Sequence, residues 1–530
     1  MKNIKYLSLI FAFTAFVGCN DPEDVLKDTN IEPKAIIDLP ELTTGTADFS
    51  KYVSLGASFT AGFTDGAVFV AGQENSFPNI LSQQFANAGG GEFTQPLVNG
   101  NTGGLVIGAT PIVPYRLVFN GSGPQRLNEF FADRSAPAPP ITTDATVNLG
   151  GTFSNVGVPG AKSFHLTFPG YGSLNPYFGR MASSASATML GDAASQNPTF
   201  FTLSEIGGND VLSYATSGGV GVDQKGNFNP TTYGGNDITD PIVFGQVFNG
   251  IVNQLTANGA KGVVANVPYI TNLPYFTTIP NNALVLDAGQ AGNLTGFFQA
   301  VAGIFTQGAV LQGLPLAQAQ ALAAQYAITF KEGANRFLID VPVTPTNPLG
   351  FRQMTEDELL LLPINRVALT QGYGSVALSN DVFQVLGLLQ AGGTPSPMQA
   401  GLVLAAVNGI DDVDALDSDE LKNIKDATDA YNTVIEDVAT EKGLALVDFK
   451  GILEQASTTG ISSGNFILTT NLATGGLVSL DGIHLTARGY AVLANEMLKV
   501  IDVTYGSNFE ASENLVDAGK YPTNYSPLLQ

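Results

Sequence analysis

The amino-acid sequence predicts an α/β protein built on a three-layer, doubly wound parallel sheet of about five strands, with large and mainly helical insertions. Three observations lead to this fold class. Short apolar runs recur along the chain, helical patterns lie between some of them, and 44% of the 530 residues are hydrophobic, enough for a large core. Runs that are apolar on both faces suit buried parallel strands, and their alternation with helices is typical of α/β folds.

Five runs carry the strand prediction. They are KYVSLG (51–56), FSNVGV (153–158), TFFTLSEIG (199–207), GVVANV (262–267) and LALVDF (444–449). Helices are predicted before the last two strands. One has Asp240 at its N-cap and Pro241 in its first turn, and it ends at Gly259. The other covers 418–443, where apolar residues follow helical spacing at Leu421, Ile424, Tyr431, Val434, Ile435 and Val438.

The gaps between these runs predict insertions near 64–150, 211–239 and 268–417, because they are far longer than ordinary connections. No clear linker divides residues 49–510, which we interpret as one domain followed by a C-terminal tail at 511–530. The acidic stretch at 411–420 lacks the ligand spacing and the mid-loop glycine of an EF-hand. We therefore expect a solvated helix N-terminus there.

The first residues have the layout of a signal peptide. Lys2 and Lys5 precede an apolar run at 6–17, and the chain then reaches Cys19, its only cysteine. The run is shorter than the roughly 20 residues needed to span a bilayer. FVGC resembles a bacterial lipobox, which predicts a lipoprotein signal peptide at 1–18, lipidation of Cys19 and a tether at 19–48. The tether is similar to those of Bacteroidetes lipoproteins, which implies export and anchoring in a membrane, with the outer membrane or the cell surface as its place.

The charge balance disfavours one class of partner. The formal net charge is -23, and the chain has only 23 lysines and arginines. Phosphate binding needs clustered cations. We therefore expect no nucleic-acid partner.

Ser58 is the first candidate site residue, because it lies in GASFTAG, directly after the first predicted strand. A nucleophilic serine needs a general base, usually histidine, and the chain has two histidines. His484 lies three residues after Asp481 and before a helix with Thr486 as its expected N-cap, and this offset places both side chains on one side of a turn. His165 has no carboxylate nearby in sequence, so we expect it to be structural.

The reaction of such a serine creates an oxyanion, which needs preset hydrogen-bond donors. The stretch NVGVPGAKS (155–163) follows the second strand and offers the amide of Gly160, which has no side chain to block a substrate. The stretch EIGGND (205–210) follows the third strand, and Asn209 can donate from its side-chain amide. Ligands of open α/β sheets bind where the strands end, so we expect these residues near Ser58.

The four residues Ser58, Gly160, Asn209 and His484, in the blocks GASFTAG, NVGVPGAKS, EIGGND and DGIHLT, resemble the SGNH hydrolases, also called the GDSL lipase and esterase family. The resemblance covers the five strands and the blocks, and the insertions lie outside it. It implies a flavodoxin-like fold, with Ser58 as nucleophile and, through its backbone amide, as oxyanion donor. Gly160 and Asn209 would complete the oxyanion hole. His484 would be the general base and Asp481 its orienting carboxylate, with no metal and no cofactor.

Two residues near the serine raise separate questions. Ala57 stands where that family commonly has an aspartate, so the sequence leaves open how the turn beside Ser58 is held. Lys162 lies two residues after Gly160. We expect it to be solvated rather than to contact a polar group of the substrate.

The function implied by the resemblance is that of a serine ester hydrolase of the lipase or carboxylesterase type. Its substrate would be an ester, lipid-like or an acylated glycan, and its membrane contact would be the lipid on Cys19. Two alternatives stay open: a carbohydrate acetyl esterase, and a non-catalytic surface lipoprotein that binds lipid or glycan.

Residues 262–330 are unusual because Asp287 is their only charged side chain. Gln, Gly and Pro315 interrupt the segment before about 18 apolar residues accumulate, which disfavours a membrane span. One interpretation is a buried helical pair. The other is a cover over the cleft that supplies an apolar acyl site at Phe298 and Phe305.

In the second interpretation the cover includes a helix at MTEDELLLL (354–362). Thr355 and Glu358 in that stretch have the spacing of a capping box. An apolar cover would favour medium or long acyl chains, since each buried methylene contributes about 0.8 kcal/mol.

Overall fold

The computed structural model describes residues 39–529, and its centre is a five-stranded sheet in which every neighbouring pair of strands is parallel. The strands are β1 Tyr52–Gly56, β2 Asn155–Gly157, β3 Phe200–Ser204, β4 Lys261–Ala265 and β5 Ala445–Val447. Their order across the sheet is β5-β4-β3-β1-β2. Each strand overlaps one predicted run, so the α/β class and the parallel sheet are confirmed. The predicted signal peptide, Cys19 and the first part of the tether lie outside the described residues.

Helices surround this sheet. The longer ones are α1 Phe77–Ala86, α2 Gly208–Thr216, α3 Pro241–Thr256, α4 Ala288–Leu311, α5 Leu316–Ala323, α6 Asn380–Gln390, α7 Pro397–Leu404, α8 Ser418–Lys442, α9 Phe449–Thr458 and α10 Ala487–Tyr505. Shorter helices are Val70–Glu74, Leu127–Ala132, Pro176–Gly179, Met189–Ala194, Pro274–Thr277 and Arg366–Thr370. Helix α10 packs on α1 and β5, whereas α8 packs on α3 and β4. From β1 the chain moves to β2 at one edge of the sheet, and from β2 it returns past β1 to β3, β4 and β5. Because right-handed crossovers that run in opposite directions lie on opposite faces of a sheet, α1 and α3 lie on opposite faces.

Short antiparallel pairs of strands lie in the connections between the main helices and strands. They are Leu105–Ile107 with Thr110–Val113, Leu117–Phe119 with Pro124–Arg126, Leu284–Leu286 with Gly333–Asn335, Leu338–Asp340 with Phe351–Gln353, Leu359–Leu360 with Ala415–Leu416, Ser375–Val376 with Val407–Asn408, and Ile461–Ser463 with Phe466–Leu468.

The two predicted helices form where their N-caps indicate. The Asp240 carboxylate accepts hydrogen bonds from the N–H groups of Ile242 and Val243 at the start of α3. Asp417, in the acidic stretch, accepts those of Asp419 and Glu420 at the start of α8. A carboxylate at this position satisfies free N–H groups and complements the helix dipole. The end of the acidic stretch, from Asp417, is therefore the predicted helix N-terminus, whereas Ala415–Leu416 before it forms a short strand.

The register of the central strands brings three connections together. Gly56 at the end of β1 lies opposite Gly157 in β2 and Ser204 in β3. A Cβ atom on Gly157 would lie 2.3 Å from the backbone nitrogen of Ala61, so only glycine lets the turn after β1 pack this closely against β2. The segments that follow β1, β2 and β3 therefore begin at one edge of the sheet.

The third insertion has a core of its own. Helices α4 to α7 bury Phe297, Phe298 and Val301 in a cluster separate from the main core. Phe298 lies 5.6 Å from the Phe330 ring, centroid to centroid, and Phe305 lies 5.1 Å from the Tyr326 ring. These rings fill the interior of the insertion, so the acyl site predicted at Phe298 and Phe305 is wrong. The segment is buried, as the other interpretation expected, but it completes a separate core and not the main one.

Helix α4 is, among the described helices, the one whose length and composition would let it span a membrane. Its aromatic residues Phe297 and Phe298 are nevertheless buried against the neighbouring helices of the insertion. In the most apolar 18-residue window of this helix, 33% is buried inside the protein.

The predicted helix at 354–362 is also wrong. The Glu358 side chain does accept a hydrogen bond from the Thr355 N–H at 2.8 Å, as a capping box would. Leu359–Leu360 nevertheless pairs as a strand with Ala415–Leu416, and Leu360 is fully buried. The tertiary strand pairing and this burial override the local helix signal.

The packed part of the chain extends beyond both predicted boundaries. Before residue 49, the Thr46 N–H donates to the carbonyl oxygen of Tyr505, and Ala47 is buried in the main core. In the predicted tail, Tyr525 is buried and the Ser526 carbonyl oxygen accepts a hydrogen bond from Arg116 at 2.7 Å. The end of the tether and the tail are thus integral parts of the fold.

Candidate active site

Ser58, His484 and Asp481 form a continuous chain of hydrogen bonds. The distance from Ser58 Oγ to His484 Nε2 is 2.9 Å, and that from His484 Nδ1 to Asp481 Oδ2 is also 2.9 Å. Ser58 lies in the turn after β1, while the other two residues precede α10, whose N-cap is Thr486 as predicted. The structure thus brings Ser58 next to a residue 426 positions further along the chain.

Hydrogen bonds surround the Asp481 carboxylate on all sides. It accepts the N–H groups of Gly66, Ile483 and His484 and the hydroxyl of Ser479 at 2.8 to 3.0 Å. Burial alone would raise the pKa of Asp481, but the His484 ring and these N–H donors outweigh it and hold the pKa well below its usual range. Asp481 is therefore ionised at neutral pH and keeps the proton of His484 on Nδ1, which leaves Nε2 free to accept from Ser58.

Aromatic rings fix the plane of the imidazole. The His484 ring lies 4.4 Å from the Phe63 ring and 5.6 Å from the Phe59 ring, between centroids. Both phenylalanines belong to the segment that carries Ser58. Ser58 and the two rings that pack on His484 therefore belong to one short segment.

Ser58, Gly160 and Asn209 each carry an N–H group that is available to an oxyanion. The N–H groups of Ser58 and Gly160 have no acceptor within residues 39–529. Gly160 is exposed, with φ at 78° and nothing within 4 Å of where a Cβ would stand. Asn209, in the first turn of α2, donates one hydrogen of Nδ2 to the Ala161 carbonyl at 2.9 Å. Its second Nδ2 hydrogen stays available, and this contact holds Asn209 next to the Gly160 turn.

The connections after β2 and β3 are tied to each other. Asp210 accepts the N–H of Ser163 at 2.9 Å and the Ser163 hydroxyl at 2.7 Å. These bonds join the segment with Gly160 to the helix with Asn209. Two of the predicted oxyanion donors thus belong to one hydrogen-bonded unit.

Lys162 differs from its prediction. It is buried, and its Nζ donates to the Asp237 carbonyl oxygen at 2.5 Å. Asp237 belongs to the predicted insertion at 211–239, so this insertion folds over Lys162 and removes it from solvent. The expectation of a solvated lysine is wrong, and its head group is engaged by backbone.

His165 makes contacts of a structural kind. Its Nδ1 accepts the Lys162 N–H, and its ring stacks on Tyr171 at 4.4 Å. Burial lowers the pKa of His165 to about 4, so the ring is neutral at physiological pH. These contacts agree with the structural role predicted for it.

An apolar cleft opens above Ser58 and His484. Its walls include the side chains of Phe59, Leu212, Ile270, Leu273, Phe449 and Leu453. Ile270 and Leu273 come from the first residues of the third insertion, and Phe449 and Leu453 come from α9. Ile270 and Leu273 belong to residues 262–330, part of which was expected to cover the cleft. The walls from Phe59, Leu212 and α9 were not predicted, because they come from connections that meet only in the folded chain.

Glu205 is the residue near Ser58 that the sequence analysis missed. It directly follows β3 and lines the same cleft, and only 8% of its surface is exposed. The signal was present in EIGGND, where a charged residue directly follows a strand that is otherwise buried.

Within residues 39–529, no group of three or more His, Cys, Asp or Glu side chains is arranged to hold a metal ion.

Comparison of the chain with models of known protein families, with curated proteins and with solved structures gives no match in any of the three. The geometry is therefore the basis of the functional argument. A serine hydroxyl that is hydrogen-bonded to an imidazole, with an ionised carboxylate behind the ring, can act as a nucleophile towards a carbonyl carbon.

Proposed function

We propose that this protein is a serine ester hydrolase of the SGNH type, with Ser58 as nucleophile, His484 as general base and Asp481 as the carboxylate that orients it. The observation that carries the proposal is the chain of hydrogen bonds through these three residues, which ends at a serine facing an apolar cleft. The flavodoxin-like SGNH fold is part of this proposal. It is supported by the strand order and by the positions of Gly160 and Asn209 after β2 and β3.

The reaction proceeds in two halves. Ser58 Oγ attacks the acyl carbon while its proton passes to His484 Nε2, and the N–H groups of Ser58, Gly160 and Asn209 stabilise the oxyanion. The carbon–oxygen bond to the alcohol then breaks, and the alcohol leaves with the proton from His484. Water attacks the acyl-serine with His484 again as base, which releases the acid and restores Ser58.

The cleft favours an acyl group over a sugar. Its walls are aliphatic and aromatic side chains, and they can bury methylene groups at about 0.8 kcal/mol each. A carbohydrate acetyl esterase would use little of this apolar surface. We therefore propose esters with medium or long acyl chains as the substrate class, and an anchor at Cys19 that holds the enzyme on a membrane of the cell envelope.

A series of p-nitrophenyl esters from acetyl to dodecanoyl, tested on the wild type and on Ser58→Ala, examines the proposal. We expect kcat/KM to rise with acyl length in the wild type, and hydrolysis to disappear in the folded variant. Hydrolysis of acetyl esters and acetylated glycan alone would favour the carbohydrate esterase. A folded wild type that hydrolyses none of these esters, yet binds lipid or glycan, would favour the non-catalytic alternative.

A further inference from the structure

Glu205 reaches from the end of β3 into the turn that carries Ser58. Its Oε1 accepts the Ala57 N–H at 2.5 Å and the Thr60 N–H at 3.0 Å, and its Oε2 accepts the Thr60 hydroxyl at 3.2 Å. These residues lie on either side of Ser58. One carboxylate thus holds both ends of the turn, at the position where Ala57 offers no side chain that could do so.

The surrounding backbone is shaped for this contact. A Cβ on Gly56 would lie 3.0 Å from Glu205 Oε1 and 2.2 Å from the Thr60 hydroxyl, so a side chain there would displace both. Glu205 itself has φ at 51°, in the left-handed region that non-glycine residues rarely adopt. Such strain persists where the surrounding structure over-determines it, and it is concentrated at functional sites.

The carboxylate is costly to bury. No described lysine or arginine forms an ion pair with it, and burial raises the pKa of Glu205 to about 7 against the lowering effect of the Thr60 and Ala57 donors. The titratable groups that face it are Tyr490 of α10 and, across the cleft, His484. If packing were the only requirement at this position, burial of an apolar side chain or an amide would have a lower free-energy cost than burial of a carboxylate.

We propose that Glu205 is a positioning residue for the nucleophile: its carboxylate binds the N–H groups on either side of Ser58, so that the Ser58 N–H and hydroxyl both face the substrate. The hydrogen bonds support this role. Glu205 accepts the N–H groups of Ala57 and Thr60, and the Ser58 N–H between them has no acceptor among the described residues. The same turn of chain leads through Gly207 to Asn209. Glu205 therefore couples the nucleophile to the oxyanion donor that follows β3. The inference rests on the proposed function.

Labelling by an alkyl fluorophosphonate tests this role without a natural substrate. Ser58 Oγ forms a bond to phosphorus, the phosphorus–fluorine bond breaks, fluoride leaves and His484 takes the serine proton. We expect Glu205→Ala to lower the labelling rate and kcat by about 100-fold, because a displacement of about 1 Å at a reacting group can have that effect. KM should change little. Glu205→Gln keeps an acceptor oxygen for both N–H groups and should restore the rate to within about tenfold of wild type.

Glu358→Ala is the matched control, because Glu358 is also fully buried and also accepts backbone N–H groups, but lies in the third insertion. It should lower stability and leave the labelling rate of the folded protein unchanged. Equal labelling rates in the wild type and in folded Glu205→Ala would overturn the positioning role, as would a loss in Glu205→Gln as large as that of Ser58→Ala.

If Glu205→Ala does not fold, Glu205→Asp decides the matter. Its carboxylate is one methylene shorter and cannot hold both N–H groups, so a labelling rate equal to that of Glu205→Gln would contradict the proposal. A wild type that is neither labelled nor able to hydrolyse any ester would instead refute the proposed function itself.

Discussion

Two turns of this molecule are held by a buried glutamate, and the two carboxylates ionise differently. Glu205 binds the Ser58 turn through the N–H groups of Ala57 and Thr60. Glu358, in the third insertion, binds the N–H of Thr355 and forms a salt bridge with Arg352 at 2.5 Å. Burial raises the pKa of Glu205 to about 7. Burial also opposes ionisation of Glu358, but Arg352 and the N–H donors outweigh it and lower the pKa.

The two carboxylates differ in how their negative charge is compensated. Glu358 has a cation beside it, so its charge is compensated and it can serve stability. Glu205 has no ion-pair partner among the described residues, and it borders the cleft that contains Ser58 and His484. The same contrast holds for the apolar groups: the rings around Phe298 are closed into a core, whereas those around Phe449 border a cleft.

The largest effect that separates the two regions is expected from Ser58→Ala. Removal of a triad nucleophile lowers turnover by several orders of magnitude, and we expect at least about 10⁴-fold in ester hydrolysis. Ser418→Ala is the control, because Ser418 also lies at a buried glutamate, Glu358. Steady-state kinetics on both variants make the comparison, and near wild-type turnover in folded Ser58→Ala would contradict the mechanism.

Asn209→Ala should lower kcat by about 100-fold with little change in KM, because it removes one oxyanion donor. Asn335→Ala removes a buried amide that likewise donates to backbone carbonyls, at Lys331 and Gly333, but in the insertion. Its kcat should stay within a few-fold of wild type. If both variants lost kcat equally, Asn209 would be a structural residue like Asn335.

The pH dependence of stability separates the two glutamates. Between the ordinary pKa of 4.5 and about 7, folded Glu205 retains a proton that the unfolded chain has lost, so the free energy of unfolding falls as pH rises. The expected fall from this residue is on the order of 2 kcal/mol. The lowered pKa of Glu358 has the opposite sign: its contribution is present above pH 4.5 and is lost as pH falls below it.

Urea denaturation at pH 5 and pH 7.5 measures these contributions. Glu205→Gln should flatten the dependence on pH in this window, while Glu358→Gln should leave its slope unchanged. Equal slopes in the wild type and in Glu205→Gln would show that Glu205 does not titrate in this range.

The smallest effect is expected at the cleft wall. Leu453→Ala removes apolar surface beside Ser58, and we expect kcat/KM for octanoyl esters to fall by about tenfold while acetyl esters are unaffected, since only a long chain contacts this wall. Phe305→Ala is the control in the insertion and should change neither value. A uniform loss for all chain lengths in Leu453→Ala would argue against an acyl site there.

Much of the site was predictable because its signals are local. The five strands follow from apolar runs, and the pairing of Asp481 with His484 follows from an offset of three residues before a capped helix. The burial of Lys162 and the strand at 359–360 were not predictable in this way. Each depends on a partner far along the chain, the Asp237 carbonyl for the lysine and Ala415–Leu416 for the strand.

The sequence by itself determined the sheet, the serine turn after β1 and the position of His484 before α10, since hydrophobic periodicity, capping residues and turn glycines act within a few residues. Only the tertiary structure decided what supports Ser58 and what surrounds the substrate. Glu205 lies 148 positions from Ala57, and the cleft walls come from several separate connections. The local sequence can mark a residue such as Glu205 in EIGGND, but it does not show which distant residue that side chain contacts. Such contacts depend on the order of the strands and on the paths of the insertions.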